Sequence, residues 1–409
     1  MPDFKLVEKP EWGPLVTFIP NKEQPVYNWF YYKEGFAKEL VLRLAHELSL
    51  TNGWKASMAG RRQQTPSIEM TPSDQRVRVL DPFCGVGTTL LACKQLGLDS
   101  IGFDVNPMAV FAAKVKTRDY STEDMREAII GLFKAKHTPV SVPESRLLKK
   151  FFPPRTLKET VFYRDTIGTI RDIHIRDFLL LGLMSVAMKC SFAYKDGAVL
   201  KVKKKPVPPV RDMLRRQLSH MLRDYESMKT EECETTAEFG DARSLPLEDS
   251  TVDAVITSPP YLNKIEYTRI YEIEQEIFLK RIQEGPSIRS YIGLSLGKLE
   301  KDMALLEAAL DYESVKGLPS EALPYLTDMF QSIEELYRVC RKGAKLALVV
   351  GNGCFPTGVV ESDILLSRMA ESLGFQVDKI LVLNKRWCTR NRTEKVGIAR
   401  ESLLLWKKP

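Results

Sequence analysis

The sequence predicts an α/β protein: a mostly parallel sheet flanked by helices and interrupted by a helical insertion. Three observations carry this. Apolar runs of strand length alternate with helix-length runs from residue 77 to 116 and again from 236 to the end. Such alternation implies parallel strands joined by right-handed crossovers. Two of the strand-like runs, Val77–Leu80 and Val252–Ile256, feed straight into chemistry-bearing strings, Asp81-Pro-Phe-Cys-Gly-Val-Gly-Thr-Thr89 and Thr257-Ser-Pro-Pro-Tyr261. Ligand sites in open α/β sheets gather at the carboxyl ends of strands, so both strings are expected in one crevice.

A chain of 409 residues exceeds one compact domain, so one large domain with an insertion, or two domains, is expected. Apolar content of 44% and charged content of 28% fit a globular protein. No apolar run reaches membrane-spanning length, and the start Met-Pro-Asp-Phe-Lys lacks a signal-peptide core, so a cytoplasmic location is expected. Seven scattered cysteines read as reduced thiols rather than a disulfide framework. Four histidines and no Cys-x-x-Cys argue against a zinc site, and no metal is expected. The net charge of +7 is unevenly spread: residues 141–225 hold 18 Lys/Arg against 8 Asp/Glu. That excess suits either a solvated helical surface or a phosphate-binding face.

The elements follow in order. Residues 1–27 are proline-rich and irregular; Asn28–Leu50 reads as helical, with Phe36, Leu40, Leu44 and Leu48 at i, i+4 spacing and Asn52-Gly53 as a stop. Residues 55–75 are polar and read as a loop. Strand 77–82, helix 88–97, strand 100–104 and helix 106–116 come next. From 117 to 235 the pattern turns helical and basic, with Phe178–Met188 a buried helix. Inside it, Lys201-Val-Lys-Lys-Lys-Pro-Val-Pro-Pro209 reads as an extended linker, because successive prolines disfavour helix. Strands at 236–240 and 252–257, helix 322–341, strand 345–350, helix 361–373, and strands 376–383 and 401–407 complete the chain, with a smaller interruption at 281–320. The organisation expected is thus 1–116 with the cofactor motifs, 117–235 as the basic insertion, and 236–409 with the catalytic motif.

Gly85 and Gly87 permit positive φ and close backbone approach to a ligand, and Thr88 is placed to cap the following helix. Leu90 stands where a third glycine would complete a dinucleotide fingerprint, and no Gly-Lys-Ser/Thr follows, so a nicotinamide or phosphate cradle is the weaker reading. Asp81 at the first strand tip could meet an ammonium group, and Asp104 at the second could take both hydroxyls of a ribose. Asn106-Pro107 then opens a helix. In the second string the Ser258 hydroxyl and Pro259 carbonyl are two acceptors for the two N–H groups of an exocyclic amine, and would favour a pyramidal nitrogen. Pro259 and Pro260 fix φ and remove competing donors. Tyr261 offers a face to a base. Asn263, Tyr267, Arg269 and Tyr271 follow as polar-aromatic candidates, and Gly351-Asn-Gly-Cys-Phe355 opens on the same edge. The stretch Asn384–Thr393 reads as a hairpin loop with Arg386, Trp387 and Arg390, suited to DNA contact or to plain solvation.

Together these strings resemble the S-adenosylmethionine-dependent amino-methyltransferases, and Thr257 before Ser-Pro-Pro-Tyr resembles the cytosine-N4 branch of the DNA methyltransferases most. The resemblance covers roughly 28–116 and 235–407. It implies a seven-stranded, mostly parallel, Rossmann-like sheet with an antiparallel last strand. It implies S-adenosyl-L-methionine as cofactor, held by Phe30, Asp81, Phe83, Gly85, Gly87, Thr88, Thr89, Asp104, Val105, Asn106, Asp241, Ala242 and Ser258. Phe30 belongs here to Asn28–Phe36, similar to the family's segment that closes over the methionine end. Asp241, in Phe239-Gly-Asp-Ala-Arg243, matches the acid directed at the adenine amino group. Ser258, Pro259, Pro260 and Tyr261 are implied as catalytic, and duplex DNA with a flipped target base as substrate.

DNA contacts are expected at Lys203, Lys204, Lys205, Tyr267, Arg386, Trp387 and Arg390, and sequence recognition in the insertions, above all 117–235. The cofactor string precedes the catalytic one, whereas many cytosine-N4 enzymes run the other way. The leading expectation is a cytosine-N4 enzyme of a restriction–modification system with a cognate endonuclease as partner. Adenine-N6 is the first alternative and RNA guanine-N2, which Ser258 counts against, the second. A non-enzymatic methyltransferase-like subunit would be expected to lose Gly85, Gly87 or Ser258, all present here.

Overall fold

The computed structural model describes residues 4–51, 76–136, 138–196, 199–262, 271–278, 291–293, 299–310, 312–391 and 393–409. After β1 (Leu6–Glu8), three 3-10 turns lead to α1 (Lys38–Glu47). The first βα units are β2 (Arg78–Asp81), α2 (Thr88–Leu96), β3 (Asp99–Asp104) and α3 (Pro107–Thr117). The insertion holds α4 (Thr122–Lys134), α5 (Arg146–Phe151), α6 (Pro154–Ile167), α7 (Ile173–Ala187), β4 (Ala193–Asp196), β5 (Val199–Val202) and α8 (Val210–Ser227). Then come β6 (Thr235–Phe239), β7 (Val252–Thr257), α9 (Glu272–Phe278), α10 (Leu299–Ala309), α11 (Tyr312–Lys316) and α12 (Leu323–Val339). The chain closes with β8 (Cys340–Gly351), β9 (Gly353–Phe355), β10 (Gly358–Val360), α13 (Ser362–Ser372), β11 (Gln376–Arg390) and β12 (Glu394–Lys407).

Among the described residues the main sheet has eight strands in the order β1-β11-β12-β8-β7-β2-β3-β6. Strands β8, β7, β2, β3 and β6 pair in parallel, and β12 runs antiparallel to both β8 and β11. The α/β class with a helical insertion and an antiparallel last strand is therefore as expected, with β1 as an eighth strand. Alternate residues of each central strand serve opposite faces: Val79, Ala254 and Ala347 pack with α1 and α2, whereas Leu80, Val255 and Leu346 pack with α12 and α13. The chain passes from β2 outward through β3 to β6, then returns to lay β7 and β8 on the other side of β2. The carboxyl ends of β2 and β7 thus meet at the switch point, where such folds place their crevice.

Three elements differ from the sequence expectation. The helix read from Asn28 starts at Lys38: Tyr27–Trp29 is a 3-10 turn and Ala37 is extended. Large aromatics there pack into the core as Tyr27, Trp29 and Phe30 instead of forming a helical stripe. The insertion contains a β4–β5 hairpin, so Lys201 is a strand residue. Finally, Asn384–Thr393 is not a loop. β11 and β12 stay paired from Asn384↔Glu401 to Arg390↔Glu394, with bulges. Both faces of this ribbon are largely polar and solvated, so no apolar alternation betrayed the strands.

The insertion is packed by α7, whose Phe178, Leu179, Leu181 and Leu183 are fully buried. Asp172 caps it, its carboxylate accepting from the His174 and Ile175 amides at 2.8 and 3.0 Å. These apolar residues pool with Trp29, Phe30 and α3 residues such as Met108 in one cluster.

Candidate active site

A cavity of about 900 Å³ opens at the switch point, lined by parts of both strings. On one wall, the turn after β2 brings in Pro82, Phe83 and Gly85, and the tip of β3 brings in Asp104, Val105 and Asn106. Gly85 and Gly87 have φ of +50° and +80°, as the left-handed turn requires. The Gly85 amide donates to Asp104 Oδ2 at 2.9 Å and the Asn106 amide to Oδ1 at 2.8 Å. Asn106 in turn caps α3, its side-chain oxygen accepting from the Met108 amide at 3.0 Å. Burial pushes the Asp104 carboxyl up to about 6, against the pull of these backbone donors.

Several residues placed here by the sequence lie elsewhere. Asp81 does not line the cavity: it is buried, accepting the Thr257 hydroxyl at 2.6 Å and the Phe83 amide at 3.2 Å. It ties β2 to β7, and burial lifts its carboxyl to about 6. Gly87 is itself the N-cap of α2, and Thr88 makes no capping hydrogen bond. Besides its left-handed φ, glycine at 87 is required by α3, since a Cβ there would lie 2.9 Å from that of Ala113. Thr89 is buried and donates to the Ile256 carbonyl at 3.3 Å. Phe30 sits in the core; its neighbours Tyr31 and Tyr32 reach the cavity instead. Tyr32 stacks on Tyr271, with ring centroids 5.6 Å apart, and covers Gly85. The Tyr271 hydroxyl donates to Glu34 at 3.0 Å. From this aromatic string it is therefore Tyr31 and Tyr32, not Phe30, that line the cavity.

At the third strand tip Asp241 and Ala242 line the cavity. Both Asp241 oxygens are engaged by Arg243, at 2.6 Å to Nη2 and 3.0 Å to Nε, and Arg243 also reaches Asp328 at 2.8 Å. Nothing in the sequence pointed to Arg243 as a holder of this acid.

The facing wall is Ser258, Pro259, Pro260, Tyr261 and Leu262. Ser258 Oγ donates to the Val349 carbonyl at 3.1 Å. The Tyr261 ring lies against Gly351, where a Cβ would come within 2.6 Å of it, and its hydroxyl donates to Glu401 at 2.8 Å. Glu401, Cys354 and Phe355 line the same side; Glu401 sits in a plain strand pattern that gave no signal.

Cys354 and Cys388 form a disulfide, with Cα atoms 5.6 Å apart, contrary to the expectation that all seven cysteines are reduced. It joins β9 to the β11–β12 ribbon. Because Asn384 and Gly351 both pair at Glu401, the ribbon projects beyond the carboxyl edge of the sheet, beside the cavity. On it Arg386, Trp387 and Arg390 are exposed, Trp387 by 55%. Lys395 Nζ lies 4.4 Å from the Trp387 ring centre, and Arg390 pairs with Glu394. Lys203, Lys204 and Lys205 are exposed on the linker after β5. Asn263, Tyr267 and Arg269 lie outside the described residues, as do 55–75. Among the described residues no cluster of three or more His, Cys, Asp or Glu side chains could hold a metal, and no helix is long and apolar enough to cross a membrane.

The family model described as DNA methylase matches residues 68–115, the segment carrying β2, the glycine turn and β3. Type II methyltransferase M.BsoBI of Geobacillus stearothermophilus is 26% identical, covering 97% of this chain and 88% of its own. Type II methyltransferase M.AvaI of Nostoc sp. is 25% identical over 97% and 89%, and M.MvaI of Kocuria varians 21% over 78% and 81%.

Proposed function

Starting from a chain that is an S-adenosylmethionine-dependent amino-methyltransferase of the N6/N4 type, we propose that it methylates the exocyclic N4 of cytosine in duplex DNA, as the modification component of a restriction–modification system. The observation that carries this is the sharing of one cavity by Asp104 and Gly85 on one wall and Ser258, Pro259 and Tyr261 on the other. The relatives named as Type II methyltransferases support DNA as the target.

The cavity fits the cofactor. Its volume of about 900 Å³ is at the upper end for small-molecule sites, with room for a nucleoside and a second planar group. Asp104 presents a carboxylate with lone pairs left for ribose hydroxyls after accepting two amides. Tyr31 and Tyr32 supply aromatic faces that suit a sulfonium cation. Val105, Asn106 and Ala242 complete the nucleoside side, and Phe83 lies beside Gly85 on the turn. When bound, S-adenosylmethionine supplies an electrophilic methyl group.

On the facing wall, Ser258 has committed its proton to the Val349 carbonyl, so towards the cavity its oxygen is an acceptor only. Pro259 has a carbonyl and no N–H. These two hold the N–H groups of the target amine and aim its lone pair at the methyl donor, while Tyr261 receives the ring of the base. Rate comes from this positioning. A cytosine reaches the cavity only by leaving the duplex. The ribbon with Arg386, Trp387 and Arg390, the linker lysines 203–205, Tyr267 and the rest of the 117–235 insertion serve as the DNA-contacting surface, the basic groups neutralising phosphates. Serine in place of an acidic or amide residue at 258 supports cytosine over adenine.

The decisive experiment transfers a labelled methyl group from S-adenosylmethionine to DNA, digests the product to nucleosides and identifies the labelled one by mass. N4-methylcytosine is the expected product. N6-methyladenine alone would overturn the cytosine assignment, and label in RNA but not DNA would overturn the substrate class.

A further inference from the structure

We propose that Glu401 is a positioning residue for methyl transfer: its carboxylate, with the backbone of Gly351 behind the ring, locks Tyr261 in the orientation that receives the target base. This rests on the reading of Tyr261 as the base platform. Tyr261 is held at both ends. Its ring edge abuts Gly351, where any side chain would collide within 2.6–2.8 Å of Cδ2 and Cε2. Its hydroxyl, at the far end, donates to Glu401 Oε1 at 2.8 Å. Glu401 and Gly351 stand opposite each other in the β12–β8 ladder, so floor and latch are two halves of one rung.

That rung is itself braced. Arg400 and Ser402, on either side of Glu401, both bond to the buried carboxylate of Asp363 in the first turn of α13. Arg400 contacts it at 2.8 and 2.9 Å and Ser402 at 2.8 Å. Arg400 also reaches Glu361 at 2.8 Å. Glu401 makes no ion pair among the described residues, although three cationic groups of the same strand or its partner are paired elsewhere. Its carboxylate is turned to the cavity and spent on one phenol. A hydrogen bond to a charged acceptor is among the stronger ones, and a platform fixed beforehand does not have to be ordered when the base arrives. Ser258, latched to Val349, and Tyr261, latched to Glu401, are thus both oriented by strands far along the chain.

The test compares Glu401→Ala, Glu401→Gln, Tyr261→Phe and the Glu401→Ala/Tyr261→Phe pair in steady-state methyl transfer to DNA, with cofactor affinity by calorimetry. Glu401→Ala is expected to lower kcat about tenfold, the scale of one charge-assisted hydrogen bond, with cofactor Kd unchanged. Glu401→Gln keeps an acceptor oxygen and should retain most of the rate. Tyr261→Phe should match Glu401→Ala, and the double variant should be no worse than either. An unaltered kcat in Glu401→Ala, or the same tenfold loss on top of Tyr261→Phe, would overturn the latch. A Tyr261→Ala variant separates this from the underlying reading: full activity there removes the base platform itself, whereas its loss alongside an intact Glu401→Ala removes only the latch.

Discussion

The two walls of the cavity are built by opposite strategies. The cofactor wall, residues 82–106, is held by contacts within itself: Gly85 and Asn106 donate to Asp104, and Asn106 caps the next helix, all within 21 residues of one another. The proposed catalytic wall, residues 258–261, is held almost entirely from a distance, Ser258 by Val349 and Tyr261 by Gly351 and Glu401, 90 to 140 residues away. A site meant to bind a constant cofactor can be local and autonomous. On the proposed function, a platform for a base brought in by DNA is instead referenced to the strands from which the proposed DNA-contacting ribbon springs.

The largest effect should separate the walls most sharply. Ser258→Ala removes the fixed acceptor and is expected to lower the transfer rate about 100-fold, the scale of a misplaced reacting group, while calorimetric cofactor affinity stays put; equal loss in both would mean the walls are not independent. Asp104→Ala should do the reverse. It weakens S-adenosylmethionine binding by about 1.5–3 kcal/mol, with the rate at saturating cofactor much less affected, as titration and single-turnover kinetics would show.

Thr257→Val cuts the bond to Asp81 that joins the walls. The buried carboxylate loses a donor, so unfolding in urea should show a loss of about 1–2 kcal/mol. Cofactor affinity and rate should fall together if the tie matters to both walls. The smallest effect is in pH. The Asp104 carboxyl is raised to about 6, and its ionised form is the better acceptor for ribose hydroxyls. Cofactor affinity should therefore fall about fourfold between pH 7 and 5.5, following the ionised fraction of such a group. In Asp104→Asn that dependence should vanish. Stability runs the other way: Asp81 and Asp104 bind protons more readily folded than unfolded, so their contribution is fullest below the ordinary value of 3.8 and is lost as pH rises through about 6.

The same contrast explains what the sequence disclosed. The cofactor wall was legible because its parts are consecutive: a strand, a Gly-x-Gly turn, a helix and an acid at the next strand tip. Even there, strand-tip position did not say which way a side chain turns. Asp81 and Asp104 occupy equivalent places, yet one faces the neighbouring strand and the other the cavity. Ser258–Tyr261 was legible as a string, but its holders were not. Val349 acts through a carbonyl that any residue would offer, and Glu401 looks like any polar residue in an alternating strand. The ribbon's strands leave no apolar alternation because both its faces largely meet solvent, and the Cys354–Cys388 bond joins residues whose spacing resembles no framework.

The three-residue strand β1 carries one more implication. Among the described residues Leu6–Glu8 pairs in the main sheet with Ile380–Val382 of β11 alone, so β1 waits about 370 residues of synthesis for its partner. Contacts so remote in sequence form late and slowly. The main sheet therefore closes its outer edge only once β11 has been made, and until then β1 is an unpaired strand open to any extended chain nearby.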